Sequence, residues 1–232
     1  KKPFERDNLR YIERYADYGN ATCKATLGKL YQEGGYGVSQ DFDEARRLFV
    51  ESAKLDPSYS GLLGQMAERG EGEPIDYAKA RDLYRRSGKN AALQLGRLME
   101  EGKGGPQDQS GALALYLDSV NYCGDDAWKA MDRLRRSGVV LDEAQKQRFQ
   151  ELWLKSFNST QMRRLAVREV FEAVNATGAR KSVTLSYIFT SDSGEPQITM
   201  VNGSGDRVVD DWIMKAASRI TMRENAPLTD NS

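Results

Sequence analysis

The chain has 232 residues, with 34 basic and 34 acidic side chains and no net charge at neutral pH. Neither half carries a charge excess, which argues against a general nucleic-acid surface, and no apolar run approaches the roughly 20 residues of a membrane-spanning helix. Histidine is absent, which removes the commonest general base, the commonest metal ligand and every serine–histidine or cysteine–histidine nucleophile.

The sequence opens on Lys1-Lys2-Pro3, with neither an initiator methionine nor a secretory leader, and is expected to be a processed or trimmed form. Residues 4–18 are predicted to form a helix, with Leu9, Ile12 and Ala16 on one face. It is read either as a cap or as the remnant of an earlier unit, because it borders a repeat array, and such an array needs a covered end.

From Ala21 to about Val120 the chain contains three imperfect copies of one two-helix unit. Leu27-Gly28, Leu30-Tyr31 and Gly34 in the first copy match Leu63-Gly64, Met66-Ala67 and Gly70, then Leu95-Gly96, Leu98-Met99 and Gly102. The second half of each copy reads Asp41, Ala45, Leu48 and Phe49; Asp76, Ala80, Leu83 and Tyr84; Asp108, Ala112, Leu115 and Tyr116. A period of roughly 20–50 residues is the signature of a solenoid. Within each copy the apolar residues share one face of a helix A, at i, i+3 and i+4.

A glycine inside a helix costs roughly 1 kcal/mol against alanine. Its return at Gly28, Gly64 and Gly96 therefore suggests that a neighbouring helix approaches closely. Gly34, Gly70 and Gly102 are expected as left-handed caps of helix A, and Asp41, Asp76 and Asp108 as N-caps of helix B. Ala45, Ala80 and Ala112 are small where the two helices cross, and Phe49, Tyr84 and Tyr116 are expected to fill the layer between units. Cys23 and Cys123 are separated by two stacked units at roughly 8–10 Å per layer, beyond the ~7 Å that a disulfide spans, so two free core thiols are expected.

The pattern then decays. Residues 125–136 and a helix opening at Asp142, with Ala144, Phe149, Leu152 and Trp153 as its buried positions, are read as a degenerate fourth unit closing the array. Asn158-Ser159-Thr160 is read as a polar break that starts a new helix over residues 161–176, ended by Thr177-Gly178. Alternation of Val183, Leu185, Tyr187 and Phe189 with Thr184, Ser186 and Ile188 predicts a strand, Ser191 to Glu195 a hairpin turn, and residues 197–201 a second strand with Ile198 and Met200 on one side. Residues 202–206 form a loop, residues 208–220 an amphipathic helix, and the polar tail from Arg223 is expected to be loose. The fold class is therefore mostly α: a solenoid of helix-turn-helix repeats over residues 1–157, followed by a small α+β domain with a β-hairpin over 158–232.

The motif Leu-Gly-x-Leu/Met-x-x-x-Gly, a glycine-containing turn, then Asp-x-x-x-Ala-x-x-x-aromatic resembles the Sel-one-like repeat, a relative of the tetratricopeptide repeat. In such relatives the outer part of helix A lines the concave side. The resemblance implies a partner groove formed by Lys29, Gln32 and Glu33, by Gln65 and Glu68, and by Arg97 and Glu100. The stretch from Val183 to Ile220 resembles the C-terminal domain of TonB-type periplasmic energy transducers, through its two strands, Asp192-Ser193-Gly194, Gly203-Ser204-Gly205 and Asp210/Asp211 before an alanine-containing helix. That resemblance implies a bacterial cell envelope. The family's final strand has no counterpart in residues 223–232, so the second strand, with Gln197, Thr199 and Val201, is expected to leave an edge open to strand addition by a partner or a second copy.

No catalytic, metal or cofactor set is assembled from these residues. The three aspartates read as helix caps, not as a carboxylate ladder. Gly34-Gly35-Tyr36-Gly37 and Gly102-Lys103-Gly104-Gly105 lack the preceding strand and the Lys-Ser/Thr ending of a phosphate loop. The expected function is a non-enzymatic protein-interaction scaffold, periplasmic, with a cytosolic adaptor or a weak hydrolase as the alternatives.

Overall fold

A computed structural model of the chain describes residues 6–35, 37–165, 183–188 and 196–218. Among these the elements are α1 (Arg6–Asp17), α2 (Ala21–Glu33), α3 (Phe42–Leu55), α4 (Ser60–Arg69), α5 (Tyr77–Ser87), α6 (Ala92–Glu101), α7 (Gln109–Cys123), α8 (Asp125–Arg136), α9 (Glu143–Leu165), β1 (Thr184–Ile188), β2 (Gln197–Asn202) and α10 (Arg207–Ser218). Short 3-10 turns at Pro57–Tyr59 and Gly88–Ala91 precede α4 and α6. The chain divides into two compact units, Lys1–Val140 and Leu141–Ser232. The helix opening after Asp142 therefore belongs to the second unit.

In the first unit α2/α3, α4/α5 and α6/α7 are the three helix A/helix B pairs. Each B helix starts on its aspartate. Asp41 Oδ1 accepts from the amides of Asp43 and Glu44, Asp76 Oδ1 from Lys79, and Asp108 Oδ1 from Gly111, at 2.7–3.0 Å. The same aspartates donate their own amides to helix A: Asp41 to the Tyr31 carbonyl, Asp76 to Ala67 and Asp108 to Met99. One residue thus starts helix B and ties it back to helix A. Gly70 and Gly102 adopt the left-handed conformation as expected, whereas Gly34 combines φ 72° with ψ 172° to enter a longer turn.

The mid-helix glycines each accommodate an aromatic ring. A Cβ on Gly28 would stand 2.6 Å from the Phe49 ring, on Gly64 2.7 Å from Tyr84, and on Gly96 2.4 Å from Tyr116. The ring of helix B lies against helix A where helix A has no side chain, and all three rings are fully buried. The rings also reach the next unit: Phe49 packs with Met66, and Tyr84 with Leu95 and Leu98. Ala45, Ala80 and Ala112 have no exposed surface.

Helix α1 closes the amino-terminal end by packing Leu9, Ile12 and Ala16 against α2. Its other face carries the tyrosines Tyr11, Tyr15 and Tyr18. Helix α8 packs on α7, burying Ala127, Ala130, Met131 and Leu134. It matches a helix A displaced by 36 residues from α6, with Asp132 where the glycine would be.

In the second unit β1 and β2 pair antiparallel, Leu185 opposite Met200 and Tyr187 opposite Ile198, with a register irregularity between Thr184 and Leu185. Helix α10 packs on α9 and on β2, burying Val209, Ile213, Ala216 and Ala217, while Val208 is exposed. Asp206 caps α10 by accepting from the amides of Val208 and Val209. Asp210 reaches back to the Ser204 amide at 2.7 Å, and only glycine fits at 203 beneath its carboxylate.

Two expectations are corrected here. Asn158-Ser159-Thr160 is not a break, because α9 runs through it from Glu143 to Leu165. These residues are mediocre helix formers, at most ~0.7 kcal/mol each below alanine, and no glycine or proline lies between Val139 and Thr177 to stop the helix. Ala144 is exposed, because it lies in the first turn, off the stripe that buries Phe149, Leu152 and Trp153. The helix end at Thr177-Gly178, the turn at Ser191–Glu195, Phe189, Ile220, Tyr36 and the tail from Arg223 lie outside the described residues.

Candidate functional site

The predicted groove residues separate into two sets. Gln32, Glu68 and Glu100 hold the same position in the three A helices, four residues after the glycine, and all three point into the array. The Tyr84 hydroxyl donates to Glu68 Oε2 at 2.7 Å, and the Tyr116 hydroxyl to Glu100 Oε1 at 2.5 Å. Each carboxylate also takes an arginine from the next A helix: Arg97 on Glu68, and Arg133 on Glu100 at 2.8 Å. Burial, followed by the hydrogen bond to the carboxylate, holds both tyrosine hydroxyls well above the ordinary tyrosine range. In the first copy the ring is Phe49, which has no hydroxyl, and residue 32 is an amide that donates from Nε2 to Glu71 at 2.5 Å. Gln32 is 7 % exposed. The sequence reading placed these three residues in an open groove because the partners that occupy them, Glu71, Tyr84 and Tyr116, come from other elements.

Lys29, Gln65 and Arg97 hold the position just after the glycine. Lys29 and Gln65 line a cleft of about 330 Å³ that crosses α2, α4 and the start of α6. Arg97 is drawn aside to Glu68 and does not line it. Other lining residues were missed from the sequence, among them Thr26, Leu62 and Gln94, two residues before each glycine, and Thr22, Ser58 and Asn90, six before it. Their signal was present. Counting back from Lys29 by 3 and 7 residues continues one helical stripe. Thr22 and Tyr59 share a hydroxyl hydrogen bond of 2.8 Å along one wall. Glu33 is exposed and is absent from the cleft lining.

A buried serine recurs three residues after each aromatic, and the second of them, Ser87, lines the cleft. Ser52 donates to the Ala21 carbonyl at 2.8 Å and Ser87 to Ser58 at 2.5 Å, pinning helix B to the start of its own helix A. Ser119 instead bonds within its helix, to Tyr116. Arginines following the crossing alanine bridge to the next unit's turn: Arg46 to the Glu71 carbonyl at 2.9 Å and Arg81 to Pro106 at 3.1 Å. The units are thus fastened one to the next, and the cleft walls are held by neighbours.

On the hairpin, Gln197, Thr199 and Val201 are exposed, and among the described residues β2 pairs with β1 alone. Cys23 and Cys123 are free thiols, both partly exposed. Among the described residues no group of three or more acidic or cysteine side chains stands close enough to hold a metal ion, and no helix is long and apolar enough to cross a membrane.

The Sel1 repeat family model matches residues 25–57, 62–91 and 89–117, which are the three copies described above. Among solved structures, the chain is similar to a Sel1 repeat protein from Oxalobacter formigenes, at 28% identity over 56% of this chain and 99% of that one, with a TM-score of 0.48. It is also similar to c5321, a protective antigen present in uropathogenic Escherichia coli strains displaying an SLR fold, at 20% identity and TM-score 0.45. That match covers 64% of this chain and 37% of the antigen. No curated protein matches the sequence.

Proposed function

We propose that this chain is a protein-interaction scaffold that holds a peptide segment of its partner in the cleft across α2, α4 and α6. Sel1 repeat proteins generally serve as protein-interaction scaffolds. The observation that carries the reading is the contrast between the two sets of polar residues on the A helices. Those four residues after the glycine are tied up within the array, while Lys29, Gln65, Asn90 and Gln94 line the open cleft. A concave surface with a few convergent polar groups is the usual form of a binding site, and solenoids use such surfaces for extended partners.

The test is capture from cell extracts by the full chain. Gln65→Trp with Gln94→Trp fills the cleft, and Arg86→Trp places the same bulk on the exposed side of α5. Proteins kept by the Arg86 variant and lost by the cleft-filled one support the reading; equal retention by both rejects it.

The edge of β2 that has no partner strand among the described residues favours a second, additional contact. There a partner or another copy adds a strand beside Gln197, Thr199 and Val201. Hydrogen exchange on the isolated chain tests this, and protection of both strand edges in the monomer removes it. Periplasmic placement belongs to this reading, since it rests on the resemblance to TonB-type domains. Fractionation of cells making the full gene product decides between the periplasm and a cytosolic adaptor.

A further inference from the structure

The cleft has one formal charge. Among the residues lining it, Lys29 alone has a charged side chain, and the rest offer hydroxyls, amides and small apolar side chains. Lys29 forms no ion pair among the described residues. This sets it apart from the cations around it. Lys24, five residues earlier on α2, is held by Glu51 at 2.5 Å. Arg97, at the repeat position equivalent to Lys29, is held by Glu68 and Glu101, and Arg133 by Glu100. Glu68, the carboxylate of α4, is already taken by Tyr84 and Arg97.

The neutral lining defines what surrounds the charge. Gln65, Asn90 and Gln94 each carry a donor and an acceptor, the pair of groups that matches a peptide unit. Adjacent helices lie roughly 8–10 Å apart and an extended chain rises about 3.3 Å per residue, so a strand crossing from α2 to α6 spans about six residues. Lys29 lies on α2, at one end of that path. No second cation lines the cleft to match the charge of a free chain terminus beside an acidic side chain. Resting on the cleft reading above, we infer that the ligand is an extended peptide segment carrying an aspartate or glutamate side chain within the chain, which pairs with Lys29, while its backbone is read by the amides of α4 and α6. The single cation at one end fixes the direction in which the segment lies.

The probe is a random twelve-residue library with both ends joined to a carrier, so that no terminal carboxylate is offered, selected on the full chain. The expected result is enrichment of aspartate or glutamate at one fixed position, with hydrophobic or small polar residues to one side of it. Selection on Lys29→Glu is expected to replace that acid with lysine or arginine. A winning peptide is expected to bind Lys29→Gln roughly two- to fivefold more weakly, as for an exposed ion pair, and to lose that difference in high salt. Peptides that are blocked by Gln65→Trp with Gln94→Trp but show no acidic position overturn this inference and leave the cleft as the site. Peptides indifferent to those tryptophans, or a library that yields no binder, overturn the cleft reading itself. Binding restored only when a free carboxyl terminus is offered also overturns the inference.

Discussion

The first repeat and the two after it solve one packing problem with different chemistry. In all three an aromatic ring lies on a bare glycine of helix A. In the second and third the ring is a tyrosine whose hydroxyl meets a glutamate, and the glutamate draws an arginine from the next unit. In the first the ring is a phenylalanine, the glutamate is a glutamine, and the next A helix carries Gln65 where the arginine would be. The three positions change together because a buried carboxylate without its donors would be left poorly solvated, whereas an amide can find a single partner in Glu71. The shape of the slot is set by the glycine and ring; the polar network is a separate layer that a unit can do without. One consequence reaches the cleft: the glutamate of the second repeat withdraws Arg97 from it, whereas the first repeat, with Gln32, leaves Gln65 in it.

The comparison is most strongly tested by deleting the rings. Phe49→Ala and Tyr84→Ala should each destabilise the array by about 3–5 kcal/mol in denaturant unfolding, similarly in both repeats if the steric layer dominates. A Tyr84 loss far exceeding that of Phe49 would show that the hydroxyl network is the main element. Filling the glycines comes next. Gly28→Ala and Gly96→Ala force a methyl against a ring, and overpacking of roughly 1–3 kcal/mol is expected to outweigh the ~1 kcal/mol gained in helix propensity. A net gain at either site would mean that the ring moves aside.

Tyr84→Phe should cost less, about 1–2 kcal/mol, by removing a hydrogen bond to a charged group. Adding Glu68→Gln and Arg97→Gln, which copies the first repeat, should cost less than the sum of the single changes, because the three residues share one network. Strict additivity in thermal melts would dispose of the network. Alkaline pH separates the repeats in the same way. The Tyr84 and Tyr116 hydroxyls are raised above their ordinary value of 10.0, so their contribution is fully present below pH ~10. It is lost as pH rises from there toward the folded-state values, since the unfolded chain ionises first. The wild type should therefore lose melting temperature above pH 10 more steeply than Tyr84→Phe/Tyr116→Phe, and parallel curves would contradict this.

The smallest effect is at the acid end of the first repeat. The hydrogen bond from Lys24, opposed in part by burial and assisted by Arg47, holds Glu51 below its ordinary 4.5. Its contribution is present above pH ~4.5 and fades as pH falls through the lowered value. Glu51→Gln should flatten the stability curve in that window by a few tenths of a kcal/mol, as befits a partly exposed pair.

Much of the fold was legible in the sequence. The period, the aspartate caps, the crossing alanines and the bare glycines are local or strictly repeated features, and hydrogen bonds to the nearest amides or side chains at i+3 and i+4 decide them. The two strands of the hairpin and α10 were legible for the same reason, through alternation and a 3.6-residue stripe. The path of α9 through Asn158-Ser159-Thr160 was not, because weak helix formers are carried by a helix that lacks a glycine or proline to end it.

The groove was half legible. The sequence by itself determined that a stripe on each helix A faces away from helix B, and so brought Lys29 and Gln65 to notice. Only the tertiary structure decided which polar residues of those helices remain available. Glu68 meets Tyr84 from 16 residues away and Arg97 from 29, and Ser52 reaches the carbonyl of Ala21 from 31. No local pattern records such pairings, because the backbone brings them together only when one unit stacks on the next. Stacking neutralises Arg97 and, among the described residues, leaves Lys29 without a counter-charge, and that difference makes a repeat surface into a cleft with one charge.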